Sequence, residues 1–185
     1  GYFSNGMENT VACFDLFFRR VPDNGGFAVM AGLRQVIDYL SDMHFTAEDL
    51  AFLRTQGISE PFLQYLKDFQ FTCDVWAIPE GTPIFPNEPI VKVRGPIVQA
   101  QMIETMLLLC VNSQSLIATK ANRLVRAARG TAVAEFGTRH AQGCDEAVFG
   151  ARAAYIGGCV STSGVIPVRD FQIPAVQTMI HSWVQ

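Results

Sequence analysis

The sequence predicts an α/β protein in two parts: an α+β section up to about residue 96, then a helical section that leads into strand–helix–strand units. Three observations carry this. The first 96 residues mix period-two apolar stretches with amphipathic segments and repeated prolines. A long helical run starts at Ile97. The last third reads strand, helix, strand, the order that builds parallel sheets. The chain has 185 residues, 49% hydrophobic and 17% charged, which is enough apolar content for a sizeable core and excludes a disordered chain. With 14 Lys+Arg against 17 Asp+Glu, the formal net charge is −3. That balance offers no electrostatic footprint for nucleic acid or anionic lipid, so small molecules are the expected partners. Charged or amide residues interrupt every apolar run before the roughly 18 to 20 residues needed to span a bilayer. No membrane association is expected.

In chain order, Val11 to Arg20 (VACFDLFFRR) puts Ala12, Phe14, Leu16 and Phe18 on one face and reads as a strand. After the turn Pro22-Asp23-Asn24-Gly25-Gly26, apolar Val29, Leu33, Val36, Ile37 and Leu40 predict an amphipathic helix from Phe27 to Met43. Thr46 with Asp49 three residues on is a weaker version of the capping box and opens a short helix, which Gly57 ends. Ser59 with Pro61 starts another. FTCDVWAIP is β-like, and the turn Pro79-Glu80-Gly81-Thr82 follows. The short apolar pieces between Pro83, Pro86 and Pro89 fit edge strands and turns better than a central sheet. From Ile97 a helix is expected to Arg129, stopping at Gly130; its all-apolar stretch Met106 to Val111 requires cover on several sides. Ala132 to Phe136 reads as a buried strand, Asp145 to Ile156 as a helix closed by Gly157-Gly158, and Val165 to Val168 and Ala175 to Ile180 as further strands. The five cysteines (Cys13, Cys73, Cys110, Cys144, Cys159) lack C-x-x-C spacing and read as reduced core residues of a cytoplasmic protein. Gly1-Tyr2-Phe3 has no basic flank, apolar core or initiating Met, and reads as a cut start rather than a processed one.

Three constellations have chemical potential. Glu135-Phe136-Gly137-Thr138-Arg139-His140 places an arginine and a histidine just beyond the C-terminal end of a strand, where α/β folds bind ligands. The planar fork of Arg139 suits a carboxylate or phosphate; the alternative is a surface loop whose Arg139 pairs with Asp145 or Glu146. Gly157-Gly158-Cys159-Val160-Ser161-Thr162-Ser163 supplies a flexible turn and three hydroxyls that can cradle a phosphate, although a helix stop followed by a cap would look the same. Thr178-Met179-Ile180-His181-Ser182-Trp183 puts a histidine after an apolar segment, either as a functional imidazole or as a hydrogen-bonded core residue. Three scattered histidines and unclustered cysteines lack metal-ligand spacing. No nucleophile elbow occurs.

These pieces, together with ENTVACFDLFFRR, AGLRQVIDYL, IPEGTPIFPNEPIVKVRGP, ETMLL, NSQSLIATKANR, EFGTRHAQG, YIGGCVSTS and TMIHSW, resemble the nicotinate phosphoribosyltransferase family in content and order from about Glu8 to Trp183. The resemblance implies an N-terminal α/β sandwich domain over residues 1–96, a connecting helical segment over 97–130, and the first strands of an irregular phosphoribosyltransferase barrel over 131–185. It implies a fragment of a longer enzyme. The implied activity joins nicotinate to 5-phosphoribosyl 1-pyrophosphate, giving nicotinate mononucleotide with coupled ATP hydrolysis, with a related quinolinate or nicotinamide transferase, or a non-catalytic interaction fragment, as the alternatives. Carried over by position, Arg139 would meet the nicotinate carboxylate or a substrate phosphate beside His140. Ser161, Thr162 and Ser163 would line the phosphate side, Thr178 would sit in the histidine motif, and His181 would accept phosphate from ATP. Mg²⁺ would arrive with the polyphosphates rather than in a protein cage. The resemblance also implies a homodimer. The chain departs from the family at Gly164, where Asn is usual, and at Gln177, where Gly is usual.

Overall fold

The computed structural model describes residues 1–179 and 181–184, with the backbone alone for residues 181 and 184. The chain runs β1 (Val11–Leu16), β2 (Ala28–Val29), α1 (Leu33–Ser41), α2 (Ala47–Thr55), α3 (Glu60–Lys67), β3 (Asp74–Ala77), β4 (Pro83–Ile84), β5 (Val91–Pro96), α4 (Ile97–Met102), α5 (Glu104–Ala127), β6 (Ala134–Glu135), α6 (Cys144–Ile156), β7 (Ser161–Thr162), α7 (Val165–Phe171) and α8 (His181–Val184). It is the mixed α/β architecture expected from the sequence.

The first part holds an antiparallel sheet in the order β1-β5-β3, with Phe14 opposite Val93 and Val75 opposite Val93 from the other side. The proline-punctuated stretch behaves as expected: its strand, Pro83–Ile84, lies in a two-stranded sheet, whereas β5, beyond Pro89, lies in the centre with Val91 and Val93 buried. The helix expected from Phe27 is shorter than its apolar periodicity suggested. Ala28 and Val29 instead pair with Ile84 and Pro83, and α1 opens only after Gly32, whose φ of 104° no β-carbon tolerates well. A Cβ at Gly32 would also lie 2.5 Å from the Cys110 carbonyl oxygen, so this turn is pressed against α5. The capping box of α2 forms as its residues dictate: Asp49 N–H donates to Thr46 Oγ1 at 3.1 Å, and Thr46 N–H donates to Asp49 Oδ2 at 2.8 Å.

α5 is the axis of the molecule. Its buried residues Leu107, Cys110, Val111, Gln114, Ser115, Ala118, Thr119 and Ala121 recur every three or four positions, a single buried stripe. The cover expected around Met106–Val111 is therefore one-sided, because Leu108 and Leu109 are exposed. The N-terminal half of the stripe packs on the main core with Met30, Ile84, Ile90 and Ile103. The C-terminal half meets α6 through small residues, Ala118 with Ala153 and Ala121 with Ala154. Close approach follows from their size: a Cβ at Gly157 would lie 2.4 Å from the Ala118 carbonyl oxygen.

In the last third β6 and β7 pair in parallel around α6, and an isolated parallel bridge joins Thr162 to Ala175. Two expectations are corrected. Val165 to Val168 is the start of a helix, because Pro167 falls in its first turn, where a missing N–H costs nothing. Of Ala175 to Ile180, Ala175 alone bridges to the sheet; residue 180 lies outside the described residues, and a helical turn begins at His181. The cysteines also divide. All five are free, Cys110 and Cys159 are buried and Cys73 half-buried, but Cys13 and Cys144 are exposed rather than core. Burial pushes the Cys73 and Cys110 thiols up to about 11. Among the described residues no helix is long and apolar enough to cross a membrane.

Candidate active site

The site is built where the parallel strands end. β6 and β7 are joined by Val160 N–H to the Val133 carbonyl (2.9 Å) and Ser163 N–H to the Glu135 carbonyl (3.0 Å). On the far side of β7, Thr162 N–H donates to the Pro174 carbonyl and Val176 N–H to the Thr162 carbonyl, each at 3.0 Å. Two strand ends and the bridged Ala175 thus lie side by side, carrying Thr138–His140, Ser161–Ser163 and the approach to Thr178. Segments distant in sequence meet here because parallel strands end at one rim.

After β6 the chain makes a 3-10 turn over Thr138–His140, closed by His140 N–H on the Gly137 carbonyl at 2.8 Å. Arg139 and His140 are both exposed. Arg139 has no carboxylate within 4.0 Å among the described residues, and the pairing with Asp145 or Glu146 is not made. Glu146 instead receives the Ser113 hydroxyl, at 2.7 and 2.8 Å from its two oxygens. The guanidinium is left facing solvent with its donors available. Beside the turn, a cleft of about 490 Å³ opens between α5 and α6, lined by Ser113, Glu135, Gly137, His140 and Glu146 among others.

The hydroxyl run does not present its three side chains alike. Ser161 and Thr162 are buried, Thr162 completely, and Ser163 is half-buried. Thr162 Oγ1 donates to Glu135 Oε2 at 2.5 Å and accepts Gly164 N–H at 3.1 Å. Thr178 is exposed. His181 opens α8, and its side chain lies outside the described residues. Gly164, the departure from the family pattern, is buried against its neighbours: a Cβ there would stand 3.1 Å from Pro167 Cδ and 3.4 Å from Thr138 Oγ1. Its small size lets α7 start directly under the first loop.

Two features escaped the sequence reading. Glu135 was noted only as part of a motif, yet both its oxygens are engaged, Oε2 by Thr162 and Oε1 by Gly137 N–H. A carboxylate inside the apolar stretch AVAEF was the available signal. The second is a half-buried fork: Arg152 donates Nη1 to Glu80 Oε1 (2.9 Å) and Nη2 to Glu80 Oε2 (2.6 Å), with both side chains 18% exposed. Glu80 Oε1 also accepts Gly32 N–H at 2.8 Å and Leu33 N–H at 3.0 Å, and the Arg152 guanidinium lies 5.5 Å from the Phe171 ring centroid. No local pattern announces a contact between residues 72 apart.

The family profile described as the nicotinate phosphoribosyltransferase N-terminal domain matches residues 1–112. The chain belongs to the nicotinate phosphoribosyltransferase family. A nicotinate phosphoribosyltransferase of Bacillus subtilis is 45% identical over 185 residues, covering 100% of this chain and 38% of that protein. The Mycobacterium tuberculosis nicotinate phosphoribosyltransferase pncB2 is 44% identical, covering 100% of this chain and 40% of its own length. The crystal structure of human nicotinic acid phosphoribosyltransferase superposes with a TM-score of 0.93 at 35% identity, over 100% of this chain and 38% of that one. The chain therefore spans at most two-fifths of the length of these family members.

Proposed function

We propose that the chain is part of an enzyme that joins nicotinate to 5-phosphoribosyl 1-pyrophosphate in NAD biosynthesis, forming nicotinate mononucleotide and pyrophosphate. The observation that carries the reading is the rim at which EFGTR and STS, motifs of the nicotinate phosphoribosyltransferase family, meet on adjacent parallel strands, with Ser163 N–H bound to the Glu135 carbonyl. A pyridine nitrogen attacks the anomeric carbon without a base, the bond to pyrophosphate breaks, and positive charge builds on the ribose ring. The protein's task is to orient two anions and stabilise separated charge. Arg139, without a carboxylate partner among the described residues, supplies a bidentate donor for the nicotinate carboxylate or a phosphate, with His140 beside it. The Ser161 and Ser163 hydroxyls suit a phosphate, and Thr178 lies three residues beyond the Thr162–Ala175 bridge.

ATP hydrolysis is proposed to pass through His181, whose neutral imidazole would attack the γ-phosphorus and release ADP. Mg²⁺ is proposed to enter with the polyphosphates, where it would neutralise their charge; among the described residues no group of three or more His, Cys, Asp and Glu side chains is placed to hold a metal. A cytoplasmic homodimer completes the reading.

The test is to incubate the full-length protein with 5-phosphoribosyl 1-pyrophosphate and labelled nicotinate, quinolinate or nicotinamide, with and without ATP. Mononucleotide formed from nicotinate and stimulated by ATP is the expected result. Preference for quinolinate or nicotinamide overturns the assignment, and ATP stimulation that survives His181→Ala removes His181 from it.

A further inference from the structure

Resting on that reading, we propose that Glu135 and Thr162 form a positioning clamp: one carboxylate and one buried hydroxyl hold the Thr138–His140 and Ser161–Ser163 loops at a fixed spacing, and Thr162 touches no substrate. A threonine hydroxyl has one proton to give and two lone pairs to accept with. The Thr162 proton goes to Glu135 Oε2 at 2.5 Å, the short, charge-assisted kind of hydrogen bond. One lone pair takes Gly164 N–H at 3.1 Å. The residue is 0% exposed, so nothing of it faces a ligand.

The other carboxylate oxygen, Oε1, takes Gly137 N–H, the residue on which the Thr138–His140 turn starts. Gly137 therefore hangs from the same carboxylate that Thr162 grips. The Gly164 amide closes the hydroxyl loop, and the Thr162 main chain carries the Pro174–Val176 strand end through two further bonds at 3.0 Å. With the Ser163 N–H bond to the Glu135 carbonyl, this side-chain bond sets the separation between the Arg139 turn and Ser163. Backbone pairing alone would leave that turn free to swing, because β6 ends at Glu135. In a site whose catalysis is mostly orientation, a displacement of about 1 Å costs on the order of 100-fold in rate.

A purely structural bond would lower stability and leave the kinetics of the folded enzyme alone; a positioning clamp moves the kinetics and recovers with the hydroxyl. The experiment uses the full-length protein, wild type, Thr162→Val, Thr162→Ser and Glu135→Gln. Nicotinate mononucleotide synthesis is measured at varied nicotinate and varied 5-phosphoribosyl 1-pyrophosphate, and amide hydrogen exchange is followed at Gly137 and Gly164. Thr162→Val is expected to lower kcat/KM for both substrates about 10- to 100-fold, and Thr162→Ser to return within about 3-fold of wild type. Glu135→Gln, which keeps the shape and loses the charge, is expected to fall between them. Exchange at Gly137 and Gly164 should quicken in Thr162→Val and revert in Thr162→Ser.

Wild-type synthesis with unchanged kinetics in Thr162→Val overturns the clamp, as does a Thr162→Ser enzyme as impaired as the valine variant. If Thr162→Val does not fold, Thr162→Ser and Glu135→Gln decide: full activity in Glu135→Gln overturns the proposal, and a graded loss supports it. A wild type inactive on nicotinate overturns the functional reading and, with it, the kinetic role; unchanged exchange at Gly137 then overturns the geometric one as well.

Discussion

At the scale of single residues, the contrast between Arg139 and Arg152 shows what an arginine is for in this molecule. Both follow from the same side-chain chemistry, but Arg139 stands exposed with no carboxylate partner among the described residues while Arg152 is spent on Glu80. Burial by itself would raise the Glu80 pKa; the hydrogen bonds and charge of Arg152, with Gly32 and Leu33 N–H, outweigh it and hold the carboxyl below its ordinary 4.5. A carboxyl whose folded pKa is depressed stabilises the fold above its unfolded pKa and loses that contribution as pH falls through the folded value. Urea unfolding of wild type against Glu80→Gln should therefore show the largest difference near neutral pH, shrinking as the pH drops below about 4.5. Arg152→Ala, which leaves a half-buried carboxylate without its partner, should cost about 3 kcal/mol at pH 7. A gap between wild type and Glu80→Gln that widens toward acid would refute the assignment.

At the scale of elements, legibility tracked how local the cause is. The cap of α2 was readable because Thr46 and Asp49 satisfy each other within one turn, and α5 was readable because its buried stripe repeats over 24 residues. The piece Val165–Val168 was too short for its apolar run to distinguish period 2 from 3.6, and Pro167 fits a first helical turn. The centrality of β5 depends on β1 and β3 arriving on either side, which no pattern inside β5 encodes. The same divide runs through the site: the end of β6 was legible, while the β7 strand at Ser161–Thr162, the choice between a free and a paired Arg139, the Glu135 contact and the burial of Thr162 were not. α5 also carries a polar seam invisible to hydropathy. Thr119 Oγ1 accepts the buried Val29 N–H at 2.9 Å, and Ser115 Oγ exchanges bonds with Ala31 N–H and carbonyl, each at 3.1 Å. Thr119→Val keeps the volume and orphans the Val29 amide, so it should lower unfolding free energy by about 1 to 3 kcal/mol, with Thr119→Ser close to wild type. Equal stability of valine and wild type would show that the seam contributes nothing.

At the scale of the whole molecule, one helix belongs to both halves. α5 contributes Leu107, Cys110 and Val111 to the core under the antiparallel sheet, and Ala118 and Ala121 to the packing of α6 beneath the candidate site. The Glu80–Arg152 fork adds a second tie between the same two halves. A disturbance on the α6 side must therefore be felt at β3, although no residue of β3 touches α6 directly in the packing just described. Gly157→Ala isolates the effect, because Gly157 has φ −69°, which alanine adopts freely. Its whole cost is steric, from a Cβ 2.4 Å from the Ala118 carbonyl oxygen and 2.8 Å from Ala121 Cβ. Overpacking of this kind should cost about 1 to 3 kcal/mol. In a Trp183→Phe background, Trp76 in β3 is the remaining tryptophan of these 185 residues, and with any tryptophan outside them also replaced by Phe it reports the antiparallel sheet. The fluorescence midpoint of Trp76 and the far-ultraviolet dichroism midpoint, dominated by the helices, should then fall together in Gly157→Ala, as a single cooperative transition requires. A dichroism midpoint that drops while the Trp76 midpoint stays in place would mean that α5 does not couple the halves.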